Sequence, residues 1–427
     1  MEILRPVVVP YAWGSKHGIA GLQGRPVPSA GPEAELWMGA HPSAPSGAAE
    51  STLDALIAAD PERELGPSCV ARFGPRLPFL LKVLSADRAL SIQLHPSRVQ
   101  AEAGFRAEND HGLLPGDPAR NFVDDWPKPE LLCALTPFEL LAGLRPPADA
   151  AALLRALAVP PLTPLAGELE TAAGPQALAR ALATILTWPA DGRAALADAV
   201  VRACRALAPA DADTPASAAP HAAASPYAAA AACPPEAASP YAAAAAAVVR
   251  EAAHHPGDPG LVAMLLMRHV VLAPGQAVFM PAGGLHTYLR GTGVEVLANS
   301  DNVVRAGLTA KHVDVPELLE LLDPAVTVPV LSPSPLGPLA DGIGRFDIPA
   351  PEFGLAVADL ASSAVALPGA GPRIVLCTDG TAVLRDQVGE TIKLARGESC
   401  FVSAADGSLR ASGPAHLFLA APGSASS

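Results

Sequence analysis

The spacing of apolar residues changes twice along this chain, and few folds accommodate such a change. From Pro6 to about Arg145 the apolar residues come in short runs, such as LPFLLKVL (77–84) and ALSIQLH (89–95), set among glycines and prolines. Short runs between turn signals predict strands. From about Pro147 to Ala210, ADAAALLRALA, PQALARALATILTW and GRAALADAVVRACRALA repeat apolar residues every three or four positions, which is a helical period. After HHPGDPG (254–260) the strand-like text returns, with MRHVVLAPGQAVFMPAGGLHTYLRG predicting a meander or the wall of a barrel. DVPELLELL (314–322) predicts one more helix, and the last hundred residues are again strand and turn. A mainly β protein with a helical insert follows, and 427 residues are too many for one ordinary core, so two or three domains are expected.

Half of the residues are hydrophobic but only 4 % are aromatic, because alanine supplies much of the apolar fraction. Between Pro209 and His255 the text collapses into alanine, and ASPYAAAAA occurs twice, from Ala224 and from Ala238. Alanine favours helix, but each Ser-Pro-Tyr interrupts it. The repeat, about 209–247, is expected to be a poorly ordered surface expansion.

The formal charge is −13, and no basic run interleaved with aromatics occurs, which excludes nucleic acid as the expected partner. No unbroken stretch of bulky apolar residues is long enough for a membrane span, and the first residues lack a signal-peptide pattern. A cytoplasmic location is expected. Six cysteines, Cys69, Cys133, Cys204, Cys233, Cys377 and Cys400, contain no C-x-x-C pair and read as small buried residues.

SIQLHPS (91–97) carries the first chemical signal. In an extended strand Gln93 and His95 share one face, while Ile92 and Leu94 share the other. Pro96 then ends the strand and leaves His95 at its rim. Glu130, in DDWPKPELLCAL, stands at a strand entrance, and His286 follows a Gly-Gly turn that lets backbone approach closely. Gln93, His95, Glu130 and His286 are thus four candidates for one divalent ion, in which an amide oxygen is the unusual member. Each also has a structural reading: a satisfied strand histidine, a solvated turn carboxylate, a turn histidine. LAPGQAVFMPAGGLH (272–286) aligns without gaps to LARGESCFVSAADGS (394–408), which sets Ser408 where the first copy has His286. Two related β units, one stripped of its ligand, account for the echo.

The segments YAWGSKHG (11–18), ELWMGAHPSAPS (35–46), LPFLLKVLSADRALSIQLHPS (77–97), KPELLCALTPFELLAGLRP (128–146) and VFMPAGGLHTYLRGTGVEVLANSDNVVRAGLTAKHVDVPELL (278–319) together resemble the type I mannose-6-phosphate isomerase family. The resemblance implies two cupin-type (jelly-roll) β-barrels plus an α-helical domain. In this chain it would divide as a catalytic barrel in two parts, 1–146 and 255–322, a helical insert over 147–254, and a degenerate second barrel over 323–427. It implies one Zn²⁺ per chain on Gln93, His95, Glu130 and His286, and isomerisation of mannose 6-phosphate and fructose 6-phosphate by a monomer that meets neither membrane nor nucleic acid. The family's Q-A-H is Q-L-H here, at a position expected to face away from the metal.

The same resemblance makes Glu295, nine residues after His286 and expected on the neighbouring strand, a candidate for proton transfer. Asp301 is a second carboxylate, better suited to orienting a ligand or an arginine. Arg305, amid apolar neighbours that call for an anionic partner, is similar to the family's active-site arginine. Ser91, Lys82 and Lys311 are candidate substrate or phosphate contacts. Lys128 would hold Glu130 or the sugar hydroxyls, and Trp13 and His41 would line the pocket, with His41 suited to opening the sugar ring. An iron dioxygenase or a non-catalytic sugar-binding cupin are the rival readings. The Gln ligand and distant Glu130 weigh against the first; Glu295 and Arg305, which mere binding does not need, weigh against the second.

Overall fold

A computed structural model describes residues 1–171, 174–208, 241–336, 342–361 and 364–423. Most of the alanine-rich repeat, including Cys233, lies outside the described residues. The chain is mainly β, in two antiparallel networks with helices beside them. One network has 11 strands, ordered around the long strand His286–Ala298, which pairs with Phe79–Ala86, Ile92–Leu94, Glu130–Ala134 and Phe138–Leu144. The other has 12 strands and is built chiefly from residues after Val330. It also recruits Glu2–Arg5, which pairs with Ser399–Val402 at Glu2↔Phe401 and Ile3↔Cys400.

Strand alternation explains how the layers are glued. Leu81, Val83, Leu131, Cys133, Val294 and Val296 point to one side and share a core with Phe353, Leu355, Ile374, Phe401 and Phe418 of the second network. Their strand neighbours Lys82, Glu130 and Glu295 therefore point to the other side, into the first network's interior. Ile92 and Leu94 are fully buried in a further core formed by the helices Pro147–Leu157, Thr163–Thr171, Gln176–Leu186 and Ala190–Leu207. The apolar face of the Gln93 strand is thus covered by the predicted helical insert, and Leu94 does face away from Gln93 and His95.

Four local expectations need correction. The first 145 residues contain helices as well as strands, the longest being Arg98–Asp110, opened by a capping box between Ser97 and Gln100. Its S-x-x-Q signature was in the sequence, but a largely exposed helix has too few apolar positions to show a period. Of the two arrangements expected for the strands between Met267 and Ala298, the meander does not form. Ala277–Met280 pairs with Glu130–Ala134 and Val330–Leu331, while its predecessor Met267–Leu272 pairs with Phe138–Leu144.

The third correction concerns the alanines at 242–247, which belong to the helix Ala242–Ala252; Ala244, Ala245, Ala246 and Ala247 are buried. Small side chains let this helix pack closely against Ala190–Leu207, so here low complexity is core and not surface expansion. The fourth concerns Glu295, which lies on the same strand as His286. Nine positions along a regular strand would put the two on opposite faces. A bulge between Tyr288 and Arg290 sets two residues against one on the partner strand, Tyr288 opposing Leu140 and Arg290 opposing Glu139. The extra residue restores parity and returns Glu295 to the interior.

Candidate metal centre

Three buried side chains converge where the Glu130–Ala134 strand begins. One ligand atom from each of His95, Glu130 and His286 lies within 4.8 Å of the others. His95 Nε2 is 3.3 Å from Glu130 Oε1, and His286 Nε2 is 3.5 Å from Glu130 Oε2. Each imidazole is oriented from behind: Nδ1 of His95 is 2.7 Å from the Asn302 carbonyl, and Nδ1 of His286 is 2.9 Å from the Gly284 carbonyl. With Nδ1–H donating to a carbonyl, each Nε2 keeps its lone pair and points it at the cluster. Both Nε2 atoms are buried without a hydrogen-bond partner. Burial pushes the His95 imidazole down to about 4 against the pull of Glu130. Glu130 pays a burial cost of its own, yet His95 and Lys128 hold it well below the usual carboxylate range. A neutral imidazole at His95 and an ionised carboxylate at Glu130 are protonation states a divalent cation requires, and the unpartnered Nε2 of His286 completes a cluster that fits a metal.

Gln93 stands opposite His286 in the strand pairing, which brings its side chain beside the cluster. Its Oε1 accepts a hydrogen bond from Ser91 Oγ at 3.2 Å, so Ser91 touches a candidate ligand. The turn before His286 needs glycine: Gly283 has φ +74°, its N–H donates to the His95 carbonyl at 2.9 Å, and a Cβ there would lie 2.9 Å from the Leu321 carbonyl.

Around the cluster the charges alternate. Lys128 Nζ lies 3.3 Å from Glu130 Oε1. Lys82 is buried and pairs with Glu35 at 3.3 Å over the Trp37 ring. Burial disfavours its charge, but Glu35, Glu295 and Glu130 outweigh that and raise its pKa. Glu295, opposite Lys82 on one side and Leu132 on the other, is pushed up to about 8 by burial and by Glu130, despite Lys82. Asp301 Oδ2 lies 3.4 Å from His41 Nε2, and His41 packs edge-on against Trp37.

Arg305 is half-buried and opposes Gln93 across the pairing, but it forms no ion pair with any described residue. The anionic partner expected from its surroundings is therefore absent among the described residues, and burial lowers its pKa. Lys311 is exposed, its pKa lowered by partial burial and by Arg305. Trp13 is half-buried and stacks on Tyr11 at 5.6 Å.

Several supporting groups were not singled out from sequence. Asn302 is buried; its Oδ1 accepts the N–H groups of Val123 and Asp124, and its Nδ2 donates to the carbonyls of Asp124 and Trp126. Glu35 holds both Lys82 and the Trp37 indole. Tyr288, fully buried, rests against the His286 ring. Glu35 lay in ELWMGAH and Asn302 in NSDN, but only the fold tells that these stretches back the cluster.

Residues 1–147 match the family model described as phosphomannose isomerase type I, catalytic domain. The chain is 35 % identical over 436 residues to the mannose-6-phosphate isomerase of Salmonella typhimurium, covering 98 % of each. It is 32 % identical to that of Escherichia coli, again covering 98 % of each, and 31 % identical to that of Rattus norvegicus, covering 93 % and 92 %. A solved apo structure of the Salmonella typhimurium mannose 6-phosphate isomerase superposes with a TM-score of 0.83 at 31 % identity, covering 99 % of both chains. A mannose 6-phosphate isomerase bound with zinc and yttrium matches equally, at 0.83 and 31 % over 99 % of both.

Proposed function

Since the chain belongs to the mannose-6-phosphate isomerase family, we propose that the cluster of His95, Glu130 and His286, completed by Gln93, holds the zinc ion with which it interconverts mannose 6-phosphate and fructose 6-phosphate. The observation that carries this is the pair of buried Nε2 atoms aimed at one carboxylate and satisfied by nothing else. Such atoms cost free energy unless a cation takes them.

The reaction moves a proton between C1 and C2 of the opened sugar. When bound, zinc supplies Lewis-acid polarisation of the substrate oxygens, worth several kcal/mol in systems of this kind. The chain supplies the proton chemistry and the positioning. Glu295 is the proton-transfer group in this proposal, because it is buried on the ligand face with Lys82 opposite to balance its charge. Lys128 holds Glu130 and faces the same oxygens. His41, with Asp301 at its Nε2, is suited to shuttle the proton of ring opening. Arg305 and Lys311, two neighbouring cations with no ion pair among the described residues, form the phosphate site. Lys82, Ser91 and Trp13 line the pocket, Ser91 through Gln93.

In this proposal 1–146 with 255–322 form a catalytic cupin barrel, 147–254 the helical insert, and 323–427 a second barrel without ligands. The echoed strand–turn–strand segments support this: Met267–Leu272 followed by Ala277–Met280 in one unit, Thr391–Ala395 followed by Ser399–Val402 in the other. A monomer acting in the cytoplasm is proposed as well. The location is supported by all five described cysteines being free and buried; no helix among the described residues is long and apolar enough to cross a membrane. The test is metal analysis of the purified chain joined to a coupled assay for fructose 6-phosphate formation. One zinc per chain with activity lost on chelation and restored by zinc supports the assignment. Full activity in His286→Ala overturns it.

A further inference from the structure

The helix Ala242–Ala252 grips the catalytic strands with two adjacent side chains. Arg250 reaches both oxygens of Glu139, at 2.6 and 2.7 Å, where Arg290 Nε and His269 Nε2 also converge. Glu251 is buried, and its Oε2 accepts the backbone N–H of Ala89 at 3.1 Å. Ala89 begins the approach to Gln93, and that approach is fastened at nearly every residue. Leu90 N donates to the Tyr288 carbonyl and Thr287 Oγ1 donates to the Leu90 carbonyl, while Ser91 holds the Gln93 amide. The fastenings at Leu90 come from His286's own strand. The one at Ala89 comes from the helical insert.

We propose that Glu251 is a positioning residue for the metal centre: by anchoring Ala89 to the insert it fixes where the Ile92–Leu94 strand starts, and hence where Gln93 and His95 stand relative to His286. The inference rests on the reading of Gln93, His95, Glu130 and His286 as metal ligands. The opposite face of the same strand supports it, since Ile92 and Leu94 are buried in the core of the insert. The insert therefore bears on this strand twice, through apolar packing and through one directional bond, and of these two only the bond is aimed at a single backbone group. The role calls for an acceptor and not for a charge. Burial pushes the Glu251 carboxyl up to about 7, against Arg250 and Arg88 and with Glu139 adding to the rise. Glutamine is accordingly a faithful substitute, whereas methionine keeps the volume and removes the acceptor.

The full-length chain, loaded with zinc, is compared as wild type, Glu251→Gln and Glu251→Met. Zinc release to excess chromogenic chelator is timed, and hydrogen–deuterium exchange of the peptide spanning 87–95 is followed in the metal-free form. Supporting a ligand from outside its shell is typically worth 10–100-fold in metal affinity. The expected result is release about tenfold faster in Glu251→Met, with faster exchange confined to 87–95, and release within about twofold of wild type in Glu251→Gln. Wild-type release and exchange in Glu251→Met overturn the proposal, as does a Gln variant as impaired as the Met one. If Glu251→Met does not fold, Glu251→Asp, one methylene short of Ala89, replaces it with the same expectation. A wild-type chain that takes up no zinc refutes the ligand reading instead, and the exchange comparison then decides the anchoring on its own.

Discussion

Asn302→Ala should loosen the metal centre and the scaffold behind it together. The carboxamide satisfies four backbone groups of the 123–126 turn: the N–H groups of Val123 and Asp124 at 2.7 and 3.1 Å, and the carbonyls of Asp124 and Trp126 at 2.8 Å each. Alanine leaves all four without that partner. Val123 is exposed, so water reaches part of the turn, whereas the Trp126 end is buried. At about 1–3 kcal/mol for each group left buried and unsatisfied, and with about half rehydrated, the loss is about 3 kcal/mol. For a cooperative unit of 150–250 residues that lowers the melting temperature by about 6–12 °C. The Asn302 carbonyl also receives His95 Nδ1 at 2.7 Å, so a displaced backbone turns the imidazole away, and zinc affinity should fall about 10–100-fold. Thermal unfolding of the metal-free chain and chelator competition measure the two effects. A shift below about 2 °C with unchanged zinc affinity would refute the reasoning, because it would mean that the turn and the ligand are held by something else.

Glu295→Gln should lower kcat by about 10²–10⁴-fold at unchanged zinc content, with solvent deuterium incorporation at C1 and C2 falling in step; exchange at the wild-type rate removes Glu295 as the base. Arg305→Met should raise KM for the phosphosugar about tenfold or more, the worth of one charge-assisted hydrogen bond, while zinc content stays at one per chain. Glu139 gives a pH signature: although burial raises it, His269, Arg250 and Arg290 bring its carboxyl down to about 2. Because the folded value lies below the ordinary 4.5, its stabilisation is complete above about pH 4.5 and is lost as the pH falls towards 2. Glu139→Gln should therefore be less stable than wild type at pH 7 by urea unfolding, and the gap should narrow as the pH drops through that window. A gap that is constant with pH excludes the carboxylate as its source.

Part of the centre was legible because its candidate ligands sit where local rules speak, although only the family resemblance joined them into one set. Q-x-H before a proline declares a shared face and a strand end, and Gly283 announces the tight turn before His286. The helical insert was legible from its period. What escaped depends on pairing partners. That Glu295 shares a strand with His286 yet also shares its face comes from a bulge whose cause, an extra residue opposite Glu139, leaves no mark in a single sequence. Asn302 and Glu35 are short polar residues in loop and strand text, and their importance arises from backbone groups more than a hundred positions away in one case and from a buried lysine in the other. The buried alanines at 244–247 mislead for the opposite reason: composition says nothing about whether a small side chain is exposed or closely packed.

Glu2–Arg5 completes its ladder only with Ser399–Val402, and on its other side with Gly47–Ala48. On a ribosome the opening strand therefore leaves the exit tunnel roughly 20–80 s before its mate is made, at about 5–20 residues per second. Throughout that interval Glu2 and Ile3 present bare amide and carbonyl groups to whatever else is in solution. Synthesis of the last thirty residues closes that gap, so a nonsense codon between positions 312 and 399 would release a polypeptide that keeps every residue proposed for the site but leaves Glu2 and Ile3 without their partners Phe401 and Cys400.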